Sequence, residues 1–149
     1  MKRAFIATAI AATFFICSAN AIAQSKGSWT PPKVGIWLVT AKDVEGIHWS
    51  GRLHLAHRAN GNGPVGYRGY FYWISRDKTT SGREYITGSF DRRTGKFRFR
   101  GYRVRNIRGE LGTGNYRASV RGGRAIHNGS WGGGNSIPGT WSAVWIGTK

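Results

Sequence analysis

KFRFRGYRVRNIRGE, residues 96–110, carries five arginines and one acid in fifteen positions. Phe97 and Phe99 alternate with Arg98 and Arg100, the period of two that marks a strand with one buried and one wet face. Beyond Gly101 the phase breaks, because Tyr102 and Val104 are the next apolar residues. A β-bulge at Arg100-Gly101 restores it, since one extra residue returns the apolar side to the core and glycine tolerates the dihedrals this requires. Tyr102 and Val104 are then expected inside, with Arg98, Arg100, Arg103 and Arg105 in one outer row. Arg108 falls in the following turn.

The same alternation extends in both directions. Eight segments read as strands: 34–42, 48–57, 66–76, 83–92, 96–105, 114–121, 124–132 and 139–147. Between them stand short Gly-, Asn- and Ser-rich turns at hairpin length, and no stretch has a helical period. Eight consecutive antiparallel strands predict an all-β up-and-down barrel, which leaves no open edge; a two-sheet β-sandwich is the alternative. With strands five and six joined through residues 106–113, Arg98 and Arg100 would lie near Arg121 and Ser119, and Arg103 near Arg117. Like charges so placed cost a few tenths to about 1 kcal/mol per pair.

The N-terminus has a different grammar. Lys2 and Arg3 precede an apolar run that ends in Ala21-Ile22-Ala23, the pattern of a cleaved bacterial secretory signal over residues 1–23. Residues 24–32 form a lead-in read as flexible because of Pro31-Pro32, and 33–149 form one barrel domain. Cleavage would remove Cys17, the only cysteine, and with it any disulfide or thiolate chemistry. No later segment is long and apolar enough to span a membrane as a helix. The protein is therefore expected in the periplasm or outside the cell.

Charge points to partners. Lys and Arg number 23 against six Asp and Glu, for a net charge of +17. Arginine predominates, and its planar fork suits bidentate contact with phosphate and carboxylate. Arg98, Arg100, Arg103, Arg105, Arg117 and Arg121 are the candidate anion-binding wall, and envelope glycolipid, acidic polysaccharide or nucleic acid its candidate partners. Trp37, Trp49, Phe71, Trp73, Tyr116, Trp141 and Trp145 fall on the inward phase, either as packed core or as the lining of a small-ligand cavity. Tyr70, Tyr72 and Trp131 fall on the outer face or in a loop, where aromatics beside arginines stack on sugars or bases.

Catalytic signals are absent from the sequence. The acids Asp43, Glu45, Asp77, Glu84, Asp91 and Glu110 lie mostly at strand ends and turns beside basic residues, where local ion pairs account for them. His48, His54, His57 and His127 lack metal-ligand spacing, and no phosphate loop or nucleophile elbow occurs. Neither metal nor cofactor is expected. An unrecognised hydrolase stays as a second alternative, and it would need an acid and a histidine converging in one cleft.

Gly35-Ile36-Trp37 on the first strand and the Trp-rich last strand, from Thr140 to Trp145, resemble the calycin group, the lipocalins, avidins and fatty-acid-binding proteins. The resemblance spans nearly all of residues 33–149. It implies the barrel shape, with Lys149 in the place of the basic residue that packs over the opening Trp, and it brings no particular ligand. Two main functions follow as expectations: a non-catalytic exported module that binds anionic polymers through its arginine wall, and a lipocalin-like or avidin-like carrier with a ligand inside.

Overall fold

In the computed structural model, residues 29–59 and 64–148 are described. The expected signal at 1–23, residues 24–28 of the lead-in and Lys149 lie outside the described residues. Eight strands follow in order: β1 (Gly35–Asp43), β2 (His48–Arg58), β3 (Val65–Ser75), β4 (Ser81–Asp91), β5 (Lys96–Arg108), β6 (Asn115–Arg121), β7 (Ala125–Gly132) and β8 (Gly139–Gly147). Each pairs antiparallel with its neighbour, and β8 returns to β1, with Trp37 opposite Trp145 and Asp43 opposite Gly139. That last ladder closes the sheet, so the architecture is the barrel and not the sandwich. Among the described residues no helix is long and apolar enough to cross a membrane.

Alternation fills the interior. Phe71 lies at the centre, against Trp73 at 4.8 Å, Tyr116 at 4.7 Å and Trp141 at 5.6 Å between ring centres. Trp37, Val39, Leu53, Ile86, Phe90, Phe97, Val120 and Ile126 complete a core sealed from solvent. An eight-stranded barrel is only wide enough for its own side chains or one small ligand.

One end is closed by the chain itself. The Trp29 N–H donates to the Arg92 carbonyl at 3.1 Å and the Lys33 N–H to that of Gly123 at 2.9 Å. Pro32 is fully buried beneath them, and its carbonyl accepts the Tyr67 hydroxyl at 2.7 Å. Gly95, with φ of 68°, lets the Trp29 ring lie on its turn, where a Cβ would come within 2.4 Å of the indole. The described part of the expected lead-in, residues 29–32, is thus a plug across the barrel end. The Trp37 and Trp145 indoles hold it from below through the carbonyls of Lys33 and Val34, each at 3.0 Å.

Strand β5 departs from expectation in two ways. The extra residue is Tyr102 rather than Arg100-Gly101: Ile86 pairs with Gly101 and Tyr85 with Arg103. Gly101 keeps the inward phase and Tyr102, expected in the core, stands outside at 59% exposure. The strand also continues to Arg108, so the turn begins later than the sequence suggested. Its ladder with β6 uses only the first half, with Arg98 opposite Arg117 and Arg100 opposite Asn115. Arg103 therefore lies beyond the end of that ladder, not beside Arg117, and Arg121 lies opposite Ala125 near the plugged end.

Candidate functional site

The end opposite the plug is open. There the ends of β1, β3, β5 and β7 meet their turns, and a cavity of about 230 Å³ lies between Trp49, Trp73, Tyr116 and Trp131, with Asp43 and Glu84 in its lining and Glu110 among the turn residues around it. Three of the six acids of this strongly basic chain line one small space.

Glu84 is its most unusual residue. On β4 the inward positions are Gly82, Glu84, Ile86 and Phe90, so a carboxylate occupies a site where its neighbours place hydrocarbon. It is fully buried. The Gly114 N–H donates to Oε1 at 2.8 Å and the Tyr116 hydroxyl donates to Oε2, while the nearby Trp73 indole also favours the charged form. Burial pushes the carboxyl up to about 7, and these donors only partly oppose it. The Tyr116 hydroxyl is raised as well, by burial and by the Glu84 charge. Gly101 makes this possible: a Cβ there would stand 2.0 Å from Oε1.

Asp43, at the inward end of β1, is also buried. Its Oδ1 accepts the Ile47 N–H at 2.8 Å and its Oδ2 the Trp49 indole N–H at 2.9 Å, which fixes Trp49 at the mouth. For Asp43, Asp77, Glu84 and Asp91 the expected ion pairs are replaced by neutral donors. Asp77 is held by Ser75 and Thr79, and Asp91 by Arg93 N–H and the Thr94 hydroxyl, which keep both carboxyls below the usual range.

The rim is braced. Asn135 accepts the Thr113 N–H at 2.8 Å, Trp131 donates its indole N–H to the Ile137 carbonyl at 2.6 Å, and the Val44 N–H reaches the Pro138 carbonyl at 2.9 Å. Three turns are thereby tied together, so the rim's own hydrogen bonds hold the space open. Preformed hollows that combine aromatic faces with placed polar groups are a usual form of small-molecule sites.

Of the inward aromatics expected from the sequence, Trp49, Trp73 and Tyr116 line this cavity, whereas Trp37, Phe71 and Trp141 belong to the packed core and Trp145 to the plugged end. Trp131 was expected outside and instead lies half-buried against Trp73 and Tyr116, each at 6.4 Å. Asn128, with φ of 49°, introduces an extra residue before Gly129 and turns Trp131 inward. Asn tolerates this backbone better than most residues.

All six arginines of the expected wall are exposed. They form two groups rather than one: Arg98, Arg100 and Arg117 along the β5–β6 ladder, and Arg103 and Arg105 on β5 beside β4, where Arg105 faces Arg83. Arg121 stands apart. His48, His57 and His127 are exposed, His54 stacks on Tyr70 outside, and none of the four lines the cavity. Among the described residues no group of three His, Cys, Asp or Glu is placed to hold a metal ion.

No protein-family model matches the chain, and no curated protein matches it significantly. Solved structures do. A redesigned β-barrel, mFAP1, bound to DFHBI, is similar at a TM-score of 0.56 and 11% identity, over 76% of this chain and 94% of that one. EF1p2_mFAP2b bound to DFHBI is similar at 0.56 and 10%, over 76% and 93%. At such identities the likeness is one of fold, consistent with a calycin-like barrel.

Proposed function

We propose that this protein is a carrier that binds one small, flat, donor-bearing or cationic molecule in the cavity at the open end of its barrel. The observation that carries the reading is the aromatic box of Trp49, Trp73, Trp131 and Tyr116 closed by the Glu84 carboxyl. A dry cavity of about 150 Å³ accommodates benzene, so about 230 Å³ suits a single ring with substituents or a small bicycle. The chemistry of the lining sets the polarity of the guest. Indole and phenol faces attract cations and planar rings, and the carboxylates beside them accept hydrogen bonds.

The DFHBI complexes of the two similar barrels support the reading, because they show that this shape is compatible with a small-ligand site. The signal-like segment at 1–23 supports an exported carrier. The test is titration of the intrinsic tryptophan fluorescence with a panel of small aromatic amines and amidines. Saturable change, lost when Leu111→Trp narrows the mouth, is expected. A panel that leaves both the native protein and the variant unchanged would overturn the proposal.

A further inference from the structure

The outer face carries a second constellation, separate from the cavity. Tyr70 on β3 stands directly opposite His54 on β2 and Tyr85 on β4, and Tyr85 in turn opposes Arg103 on β5. The bulge adds Tyr102 to the same line. His54 and Tyr70 are parallel at 4.4 Å, Tyr70 and Tyr85 lie 6.0 Å apart, and Tyr85 and Tyr102 6.5 Å. Four rings on four neighbouring strands thus cross the barrel wall in a row, along a shallow trough of about 470 Å³ that Arg68 also lines.

Arginines are laid onto this row. The Arg103 guanidinium is 4.1 Å from the centre of the Tyr85 ring and that of Arg83 is 5.1 Å from Tyr70. Arg105 stands directly opposite Arg83. A guanidinium resting on a ring is partly immobilised beforehand, while its N–H edge stays available for a bidentate contact. Juxtaposed like charges destabilise a sheet, and an aromatic pushed outward at a bulge gains little from burial. Both features suit an anion that supplies planar rings.

We infer that this row is a binding surface for single-stranded nucleic acid, with Tyr102 as a stacking face for a base and Arg83, Arg103 and Arg105 as phosphate contacts. Planar bases stack on both tyrosine and guanidinium, whereas the puckered ring of a sugar matches only the former. A single strand is required because bases in a duplex are already stacked.

The test uses the full chain and a fluorescein-labelled oligothymidine, with anisotropy measured over a range of salt. R83Q/R103Q/R105Q should reduce the slope of log affinity against log salt by about 2, at about 0.7 per contact. R76Q/R93Q/R121Q, which removes the same charge elsewhere, should change it much less. Tyr102→Ala, at an exposed position, should weaken oligothymidine about tenfold and leave retention on heparin unchanged. Equal losses in the two triple variants would overturn the site. Oligothymidine affinity indifferent to Tyr102→Ala would overturn the nucleic-acid assignment, and would point to acidic polysaccharide if heparin still required the three arginines. Because the cavity is untouched by these changes, failure here leaves the fluorescence titration of the carrier unaffected.

Discussion

Glu84 reaches the Gly114 N–H by passing beneath Gly101, at a position where one added carbon would stand 2.0 Å from its Oε1. Gly101→Ala should therefore displace a buried carboxylate from its donors. A cost of about 1–3 kcal/mol is expected, read as a lower midpoint in urea denaturation. Unchanged stability would mean that the carboxylate has another way to be satisfied.

Glu84 also makes stability depend on pH in an unusual direction. Its carboxyl rises from 4.5 to about 7 on folding, so between those values the unfolded chain releases a proton that the folded one keeps. Stability is full below about 4.5, falls as pH rises towards 7, and is level above it; the drop is roughly 3 kcal/mol. Asp77 and Asp91, lowered by their turns, act oppositely, losing their contribution as pH falls into the acid range. Thermal melts of Glu84→Gln against the native chain from pH 4 to 8 isolate the Glu84 contribution, and the difference should flatten on both sides of that window.

Ligand binding should report the same group. Benzylammonium should bind more tightly as pH rises through about 7, with proton release visible as a buffer-dependent heat, because the guest favours the charged carboxylate. Toluene, which has no donor and only removes water from the carboxyl, should show the weaker and opposite trend. In Glu84→Gln both pH dependences should vanish.

The plug contributes to the fold. Tyr67→Phe leaves the buried Pro32 carbonyl without its hydroxyl donor, and a loss of about 1–2 kcal/mol is expected in chemical denaturation. The aromatic-lined cavity lies at the far end, so fluorescence titrations of this variant should match the native protein.

Arg98 and Arg117 face each other across β5 and β6. Arg98→Glu replaces repulsion with attraction and should stabilise the barrel by a few tenths to about 1 kcal/mol at low salt. The gain should shrink in high salt, as a melting series would show.

Much of this was legible in the chain. Period-two alternation defined all eight strands, and the arginine-phenylalanine run at 96–100 placed its faces correctly. The departures occur where backbone geometry shifts the phase. Gly101 has no side chain to declare its side, so the bulge fell one residue later and Tyr102 emerged. Asn128 looks like an ordinary strand residue, yet its left-handed backbone brings Trp131 into the cavity. The pairing of β5 with β6 was misjudged because β5 runs on to Arg108, beyond the point where its sequence loses alternation. Pro31-Pro32 reads as slack chain, and only the partner groups at Tyr67 and Gly123 reveal it as a plug. Glu84 was within reach: it shares even numbering with Ile86 and Phe90, and an acid on an apolar phase is a stronger signal than an acid near a turn.

On the carrier reading proposed above, the plug also governs traffic. A barrel blocked at one end has a single doorway, so a newcomer cannot push an occupant out from behind. Exchange must wait for the first guest to leave by the way it came, and its rate should stay the same however much competitor is added.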